Sequence, residues 1–296
     1  MRFGYLTLND IDGIRPDTLA RELESRGFDS IWVPEHSHIP TSRMTPYPAG
    51  GELPDGYWHN MDPFVSLALA AQASDRLELC TGVCLLLEHD LLDLACTTAT
   101  LDALSGGRLR LGVGVGWNEE ELANHRPDLA FSQRYRAMEE RVAALRVAWS
   151  EDDASFEGRW DRFDESWIYP KPVDRNIPVA LGNAGPLGIG HAARYADEWC
   201  PIDASMLNTG GRPDPAGAIE LFRALATDAG RPAEDIPISL FVMGLRRDRV
   251  ERYAELGVDR IVFMPPTMHR HSPDDTLRHL DDLMGMVTDL AEPAET

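Results

Sequence analysis

Three glycines alternate in the stretch LSGGRLRLGVGVGWNEEE (Leu104–Glu121). Gly112, Gly114 and Gly116 share one face of a run that otherwise reads as a strand, and Trp117, Asn118 and three glutamates follow. Alternate residues of a strand point to the same side, so this face has surrendered three side chains. Where a strand leaves a barrel, a glycine lets a flat ring or a phosphate reach backbone that any Cβ would hold off. Gly114, Val115, Gly116, Trp117 and Asn118 then read as the floor of a ligand site, with Gly116 and Trp117 at the exit. Gly112, the deepest, reads as tight layer packing. A dinucleotide fingerprint needs its third glycine to open a helix directly after the strand, and GxGxG followed by Trp-Asn departs from that spacing. Glu119, Glu120 and Glu121 read as the acidic first turn of a helix, where carboxylates complement the positive end.

Two other groups have chemistry to offer. Gly182-Asn183-Ala184-Gly185, followed by PLGIGHAARYAD, reads as a strand, a loop and a helix start, which presents backbone N–H groups to an anion. On spacing alone, a routine βα turn accounts for it equally well. His36 closes a strand-like run in PEHSHIP. A histidine there can exchange a proton near neutral pH, or can simply be a satisfied polar residue. His38 and His59 have weaker claims. His36-Ser37-His38 is also an HxH pair of the kind that metal-dependent barrel hydrolases use. The other strand exits offer Asn183 and Met264-Pro265-Pro266, and only Asp203 adds a carboxylate. No metal site is expected.

These groups need a frame that brings strand exits together. Strand-like runs recur at Phe3–Leu8, Ser30–Pro34, Leu77–Leu86, Leu109–Val115, Pro178–Asn183, Glu198–Ile202, Ile238–Met243 and Arg260–Pro265. Between them lie segments such as DTLARELESRG and RYRAMEERVAALRVAWS, with apolar residues three and four apart. Eight alternations of strand and helix predict an α/β fold, a (β/α)8 TIM barrel, in preference to an open doubly wound sheet. The expectation is a single domain spanning 1–296. Two segments break the rhythm, His38–Met61 and Glu151–Pro172, both bearing aromatic residues. They are expected as insertions at the C-terminal strand ends that build the pocket and its lid.

A net charge of -21 argues against a non-specific grip on nucleic acid or on an anionic membrane, so any anionic ligand must be held locally. No apolar run has the length of a membrane span and the N-terminus lacks a signal-peptide pattern, so the expected location is cytoplasmic. Cys80, Cys84, Cys96 and Cys200 show no CxxC spacing and read as reduced, buried thiols.

FDSIWVPEH, LELCTGV, ATLDALSGGRLRLGVGVGWNEEE, the arginine of FSQRYRAMEE, YPKP and GNAGPLGIGHAARYADEW, in this order and spacing, resemble the luciferase-like flavin and deazaflavin oxidoreductases. The likeness runs from Met1 to about Ile202. It implies a (β/α)8 barrel and a cofactor, F420 or FMN, over the strand exits at His36, Thr81-Gly82-Val83, Gly114 to Asn118 and Gly182 to Gly185. It also implies a cis peptide at Gly82-Val83, the cofactor phosphate at Gly182 to Gly185, and His36 beside the reactive ring edge. Relatives that oxidise a sugar phosphate carry a tryptophan and a glutamate where this chain has Pro40 and Trp117, and a lysine where Ser205 or a neighbour stands. That substrate is not expected. GVGVGWNEEE beside YADEW is closer to the F420 branch, which implies hydride transfer with a small organic substrate. The alternative, an FMN-dependent monooxygenase using reduced flavin and O2, implies a flavin reductase partner. A homo-oligomer, a dimer, is expected in either case.

Overall fold

The computed structural model describes residues 1–208, 210–244 and 246–291. Short apolar runs without polar alternation suit strands covered on both faces, and such strands pair in parallel with helices outside. In chain order the strands are β1 (Arg2–Leu6), β2 (Ser30–Val33), β3 (Glu78–Thr81), β4 (Cys84–Leu85), β5 (Leu109–Gly114), β6 (Ala154–Glu157), β7 (Arg162–Ser166), β8 (Val179–Leu181), β9 (Glu198–Trp199), β10 (Ser239–Val242) and β11 (Arg260–Phe263). The parallel path runs β10-β11-β1-β2-β3-β5-β8-β9. Parallel bridges from Trp199 to Ile238 and from Ile202 to Phe241 return β9 to β10. Eight strands therefore form a nearly closed barrel, as the alternation predicts.

The run Leu77–Leu86, expected as one strand, breaks at Gly82, where the Gly82–Val83 peptide is cis. Two-residue β4 resumes beyond the break and pairs with β5, setting Leu85 opposite Gly114.

The helices are α1 (Pro16–Ser25), α2 (Pro63–Ala73), α3 (Leu91–Ser105), α4 (Glu119–His125), α5 (Arg134–Ser150), α6 (Pro186–Tyr195), α7 (Pro215–Asp228), α8 (Arg247–Glu255) and α9 (Pro273–Val287). Side-chain caps fix several starts: Asp62 accepts from Val65 N, Asp90 from Leu92 N and Asp93 N, and Asn118 from Glu120 N and Glu121 N. The large apolar cluster lies between helices and strands. A smaller one, including Leu6, Trp32, Phe241 and Met264, fills the barrel interior.

Below that plug, at the N-terminal strand ends, Arg260 is wholly buried among Asp29, Glu78 and Glu198. Arg110 joins the same layer, 2.7 Å from Glu198 and 3.3 Å from Glu78. Burial opposes ionisation of Glu78, but Arg260, Arg110 and Arg2 outweigh it and hold the carboxyl at about 2.

The first aromatic insertion folds over the C-terminal strand ends. The second forms the antiparallel hairpin β6–β7, whose turn is held by Glu140 on α5, through the N–H groups of Arg159, Trp160 and Asp161. Its aromatic content predicts a share in roofing the pocket, yet none of its residues lines the large cavity there. Trp160 instead walls a neighbouring cleft. Three of the four cysteines are buried as expected, and burial pushes their thiols up, whereas Cys96 is exposed. Among the described residues no helix is long and apolar enough to cross a membrane.

Candidate functional site

A cavity of about 350 Å³ opens at the C-terminal strand ends. His36, Gly82, Val83, Gly114, Val115, Gly116, Trp117, Gly182 and Asn183 all line it, joined by Tyr57, Arg134 and Tyr135. Four residues expected at the cofactor do not. Thr81 turns into the wall, its hydroxyl donating to Gly112 O at 2.7 Å. Asn118 is buried as the cap of α4, Ala184 is buried, and the exposed Gly185 is the cap residue of α6.

The alternating glycines do three different jobs. A Cβ on Gly112 would lie 2.0 Å from the Thr81 carbonyl oxygen, so this residue permits β5 to close on β3. A Cβ on Gly114 would meet Val83 Cγ2 at 2.5 Å, and one on Gly182 would meet Val83 Cγ1 at 2.8 Å. Those two glycines make room for Val83, which stands on the cavity floor between them. Gly116 has φ of +70°, and its nearest contacts for a Cβ are ordinary, at 3.6 and 3.7 Å. Backbone conformation, and no shortage of space, is what requires glycine there. The expectation that all the exit glycines yield space directly to a ligand is corrected accordingly.

The acid run does more than complement a helix end. Glu121 stands at the third position of α4, where a capping carboxylate would usually reach back to the cap's own N–H. It turns inward instead and meets His36 Nδ1 at 2.8 Å, with side-chain exposures of 1% and 9%. A carboxylate oxygen can only accept, so Nδ1 carries the proton. The other ring nitrogen lies outside the pair. Tyr57 and Trp117 pack against the same imidazole, with centroids at 5.3 and 5.9 Å.

Glu120 faces the other way and holds the first insertion. It accepts from Ser42 Oγ, from Met44 N and Thr45 N at 2.9 Å each, and from Thr45 Oγ1. Those bonds hold its carboxyl at about 2. The same insertion brings Tyr47 and Tyr57 to Trp117, and Arg43 over the indole at 5.7 Å. Helical spacing at residues 119–121 is the signal that separates these roles: successive helix positions point about 100° apart, so neighbouring glutamates serve different partners.

Two buried donors on the cavity wall lack partners among the described residues, Arg134 Nε and Asn183 Nδ2. Asn183 is oriented by the Tyr135 hydroxyl, which donates to Oδ1 at 3.2 Å. The Arg134 guanidinium stacks on Phe131 at 3.8 Å and gives one N–H to Phe131 O. Burial lowers the pKa of Arg134. An uncompensated donor away from water costs about 1–3 kcal/mol, and both of these lie in the wall behind the surface that Arg134 and Asn183 present to the cavity, where a guanidinium beside an amide fits an anionic group. The start of α6 beside them adds the positive end of a helix. Sequence reasoning assigns Arg134 no role, because which arginine of FSQRYRAMEE faces the cavity depends on how that amphipathic helix docks.

The residues of the hydrolase reading go to separate partners. His36 is held by Glu121, while His38 bonds Ser37 Oγ and Asn124 Nδ2. Asp203 is taken by Arg249 and the Tyr253 hydroxyl. Glu35, Cys84 and His89 cluster nearby, with Glu35 receiving His89 Nε2 and Leu85 N at 2.7 Å each. That trio is satisfied by its own hydrogen bonds.

Comparison with known proteins agrees with this geometry. The profile of the luciferase-like monooxygenases matches residues 1–282. An uncharacterized protein of Mycobacterium tuberculosis, Rv0953c, is 36% identical over 287 residues, covering 96% of this chain and 97% of that one. The F420-dependent hydroxymycolic acid dehydrogenase of the same organism is 28% identical over 242 residues, 81% of this chain and 59% of that protein. In fold, the monooxygenase RslO1 from Streptomyces bottropensis superimposes with a TM-score of 0.76 at 18% identity, over 98% of this chain and 99% of that one. The chain belongs to the luciferase-like monooxygenase family, whose members are F420- or FMN-dependent oxidoreductases and monooxygenases.

Proposed function

We propose that this protein is an F420-dependent oxidoreductase of one domain, acting in the cytoplasm on a small organic substrate. The observation that carries the reading is the cavity wall: two unpartnered buried donors, Arg134 Nε and Asn183 Nδ2, beside a floor built on Val83 and the Gly114–Trp117 backbone. That combination suits a flat ring with an anionic arm. Bound F420 would supply or accept a hydride. The chain's own part is proton management and exclusion of water. His36, oriented by Glu121, is placed to give or take a proton at a substrate oxygen, because moving a hydride to or from a carbonyl carbon leaves that oxygen needing one. Tyr57, Trp117, Met264 and Met268 present apolar surface over the same space.

Fluorescence titration with F420 and with FMN tests the reading. Saturable binding of F420 is expected, weakened about tenfold or more by Arg134→Gln, the worth of a hydrogen bond to a charged group. Binding of neither cofactor would overturn it. An FMN-dependent monooxygenase supplied by a reductase is the second reading. The apolar lining favours it, since reduced flavin must meet O2 away from water, and binding of FMN alone would select it.

A homodimer is part of the proposal. The groove between α2 and α3 carries Val65, 62% exposed, and Leu104, 82% exposed, beside Ala68 and Leu101. A dimer in sedimentation that Val65→Glu with Leu104→Glu turns into a monomer would support this face.

A further inference from the structure

The cavity has two unlike halves. Strands β11, β1 and β2 are neighbours, and the residues that line the cavity beyond their ends are Met264, Met268, Leu6, Leu8 and His36. Strands β5 and β8 are neighbours on the other side, where Gly114, Gly182 and Asn183 are joined by Arg134 and Tyr135 at the start of α5. The first insertion closes directly on the first half. A Cβ on Gly56 would stand 2.5 Å from Met268 O and 3.6 Å from Leu8 Cδ1, so only glycine lets the insertion settle against the loop after β11.

The charge available to a ligand differs between the halves. Among the described residues that line the cavity, the charged side chains besides His36 are Glu35 and Arg134, and Arg134 belongs to the second half. Glu35 already receives His89 Nε2 and Leu85 N. Asn60 gives its N–H groups to Leu8 O at 2.8 Å and Gly56 O at 3.0 Å, and the Tyr57 hydroxyl meets that of Tyr47 at 3.3 Å. The cations nearest the first half are engaged as well: Arg270 pairs with Asp10 and Asp12, and Arg43 lies over the Trp117 indole. The second ring nitrogen of His36 has no partner among the described residues. An ionised carboxylate or phosphate brought into this half would lose its hydration with no cation to replace it, and the Glu121 carboxylate behind His36 would oppose it further. A neutral molecule with one oxygen loses little there. Met264 and Met268, unbranched and adaptable, suit hydrocarbon of varied shape.

We propose that the half of the cavity over β11, β1 and β2 is the substrate subsite, and that it selects an uncharged alcohol or ketone, with its one oxygen at His36 and its hydrocarbon against Leu8, Met264 and Met268. This rests on the reading of the cavity as a hydride-transfer site, and leaves anionic groups to the Arg134 half. Met268 is the residue that sets the specificity. It is partly buried against the interior cluster, and a cation in its place would supply what an anion lacks in this half.

Nuclear magnetic resonance of protein labelled at the methionine methyl groups tests this, with cyclohexanol and cyclohexanecarboxylate as probes that share a ring and differ in charge. Cyclohexanol should shift the Met264 and Met268 resonances saturably, at an affinity about tenfold or more above that of the carboxylate. Met268→Lys, followed at Met264, should shrink that ratio below about threefold or reverse it. Both titrations are run without cofactor and repeated with F420. Equal affinities, tighter binding of the carboxylate, no shift of either methionine in both states, or a ratio that Met268→Lys leaves unchanged would overturn the proposal. Should the variant fail to fold, the wild-type ratio decides. Selective binding of cyclohexanol by a protein that takes up neither F420 nor FMN would support the subsite and count against the functional reading alone.

Discussion

The two ends of the barrel handle buried charge in opposite ways. At the N-terminal strand ends Arg260 and Arg110 interlock with Asp29, Glu78 and Glu198, and the buried Glu198 oxygens, which lack well-aligned hydrogen bonds, are matched by ion pairs to Arg110 at 2.7 Å and Arg260 at 3.6 Å. At the C-terminal ends Glu88 carries an unpartnered oxygen, and Arg134 and Asn183 carry unpartnered donors. Glu78, partly buried, and Glu88, with its side chain almost wholly buried, share the ordinary value of 4.5, yet one is held at about 2 and the other at about 9. Burial raises both; the arginines around Glu78 reverse the outcome, and the carboxylates around Glu88 add to it. Matched charge marks the end of the barrel that holds the fold, and unmatched polarity marks the end that acts on something else.

Breaking the matched end should have the largest effect. Arg260→Met removes the wholly buried cation shared by Asp29, Glu78 and the buried Glu198, leaving Arg110 alone to hold Glu198, and chemical denaturation should show a loss of about 3–5 kcal/mol or failure to fold. Glu88→Gln, measured the same way at pH 7, should lie within about 1 kcal/mol of the wild type or above it, because an amide replaces an acid that is already neutral. Equal losses in both would erase the distinction between the ends.

The glycines of β5 come next. Gly112→Ala presses a methyl onto the Thr81 carbonyl and should cost about 1–3 kcal/mol of stability. Gly116→Ala should cost about 1–2 kcal/mol through its left-handed backbone alone. Gly114→Ala should displace Val83 and weaken cofactor binding more than it lowers the melting temperature. Titration alongside thermal melting separates the three.

Stability against pH sharpens the contrast between the two glutamates. Glu78 has a depressed folded value, so its contribution is complete above about 4.5 and is lost as pH falls toward 2. Glu88 has a raised one, so the folded state holds the proton more tightly and stability declines as pH climbs from about 4.5 to 9. Each tenfold difference in proton affinity between the folded and unfolded chain is worth about 1.4 kcal/mol. Denaturation from pH 5 to 9 should show a decline in the wild type that Glu88→Gln flattens. The smallest effect belongs to neither end: Trp167→Ser, at a side chain 81% exposed, should change stability by no more than about 0.5 kcal/mol.

The barrel was legible because eight buried parallel strands must each be a short apolar run, and the chain writes eight of them at intervals that helices fill. The glycines and His36 were legible as a site because they cluster at strand exits. Thr81 is not at the cavity because strand neighbours take opposite faces: Cys80 points into the barrel interior and Thr81 into the wall, a choice set only when β3 docks between β2 and β5. Glu121 was invisible as the partner of His36 because 85 residues separate them in the chain. The hairpin β6–β7 could not be placed by its aromatics, which mark buried surface without saying which surface.

By itself, the sequence determined the order of strands and helices, the glycine at each exit where backbone must turn or close on a neighbour, and the histidine at the end of β2. Those depend on local periodicity and on the conformational freedom of single residues. Tertiary structure alone decided that Glu121 faces His36 while Glu120 grips the first insertion, that Gly114 and Gly182 give their space to Val83, and that the buried Glu88 side chain keeps one oxygen without a hydrogen bond. Electrostatic and steric interactions depend on distance in space, and that distance is set only when the strands close into the barrel.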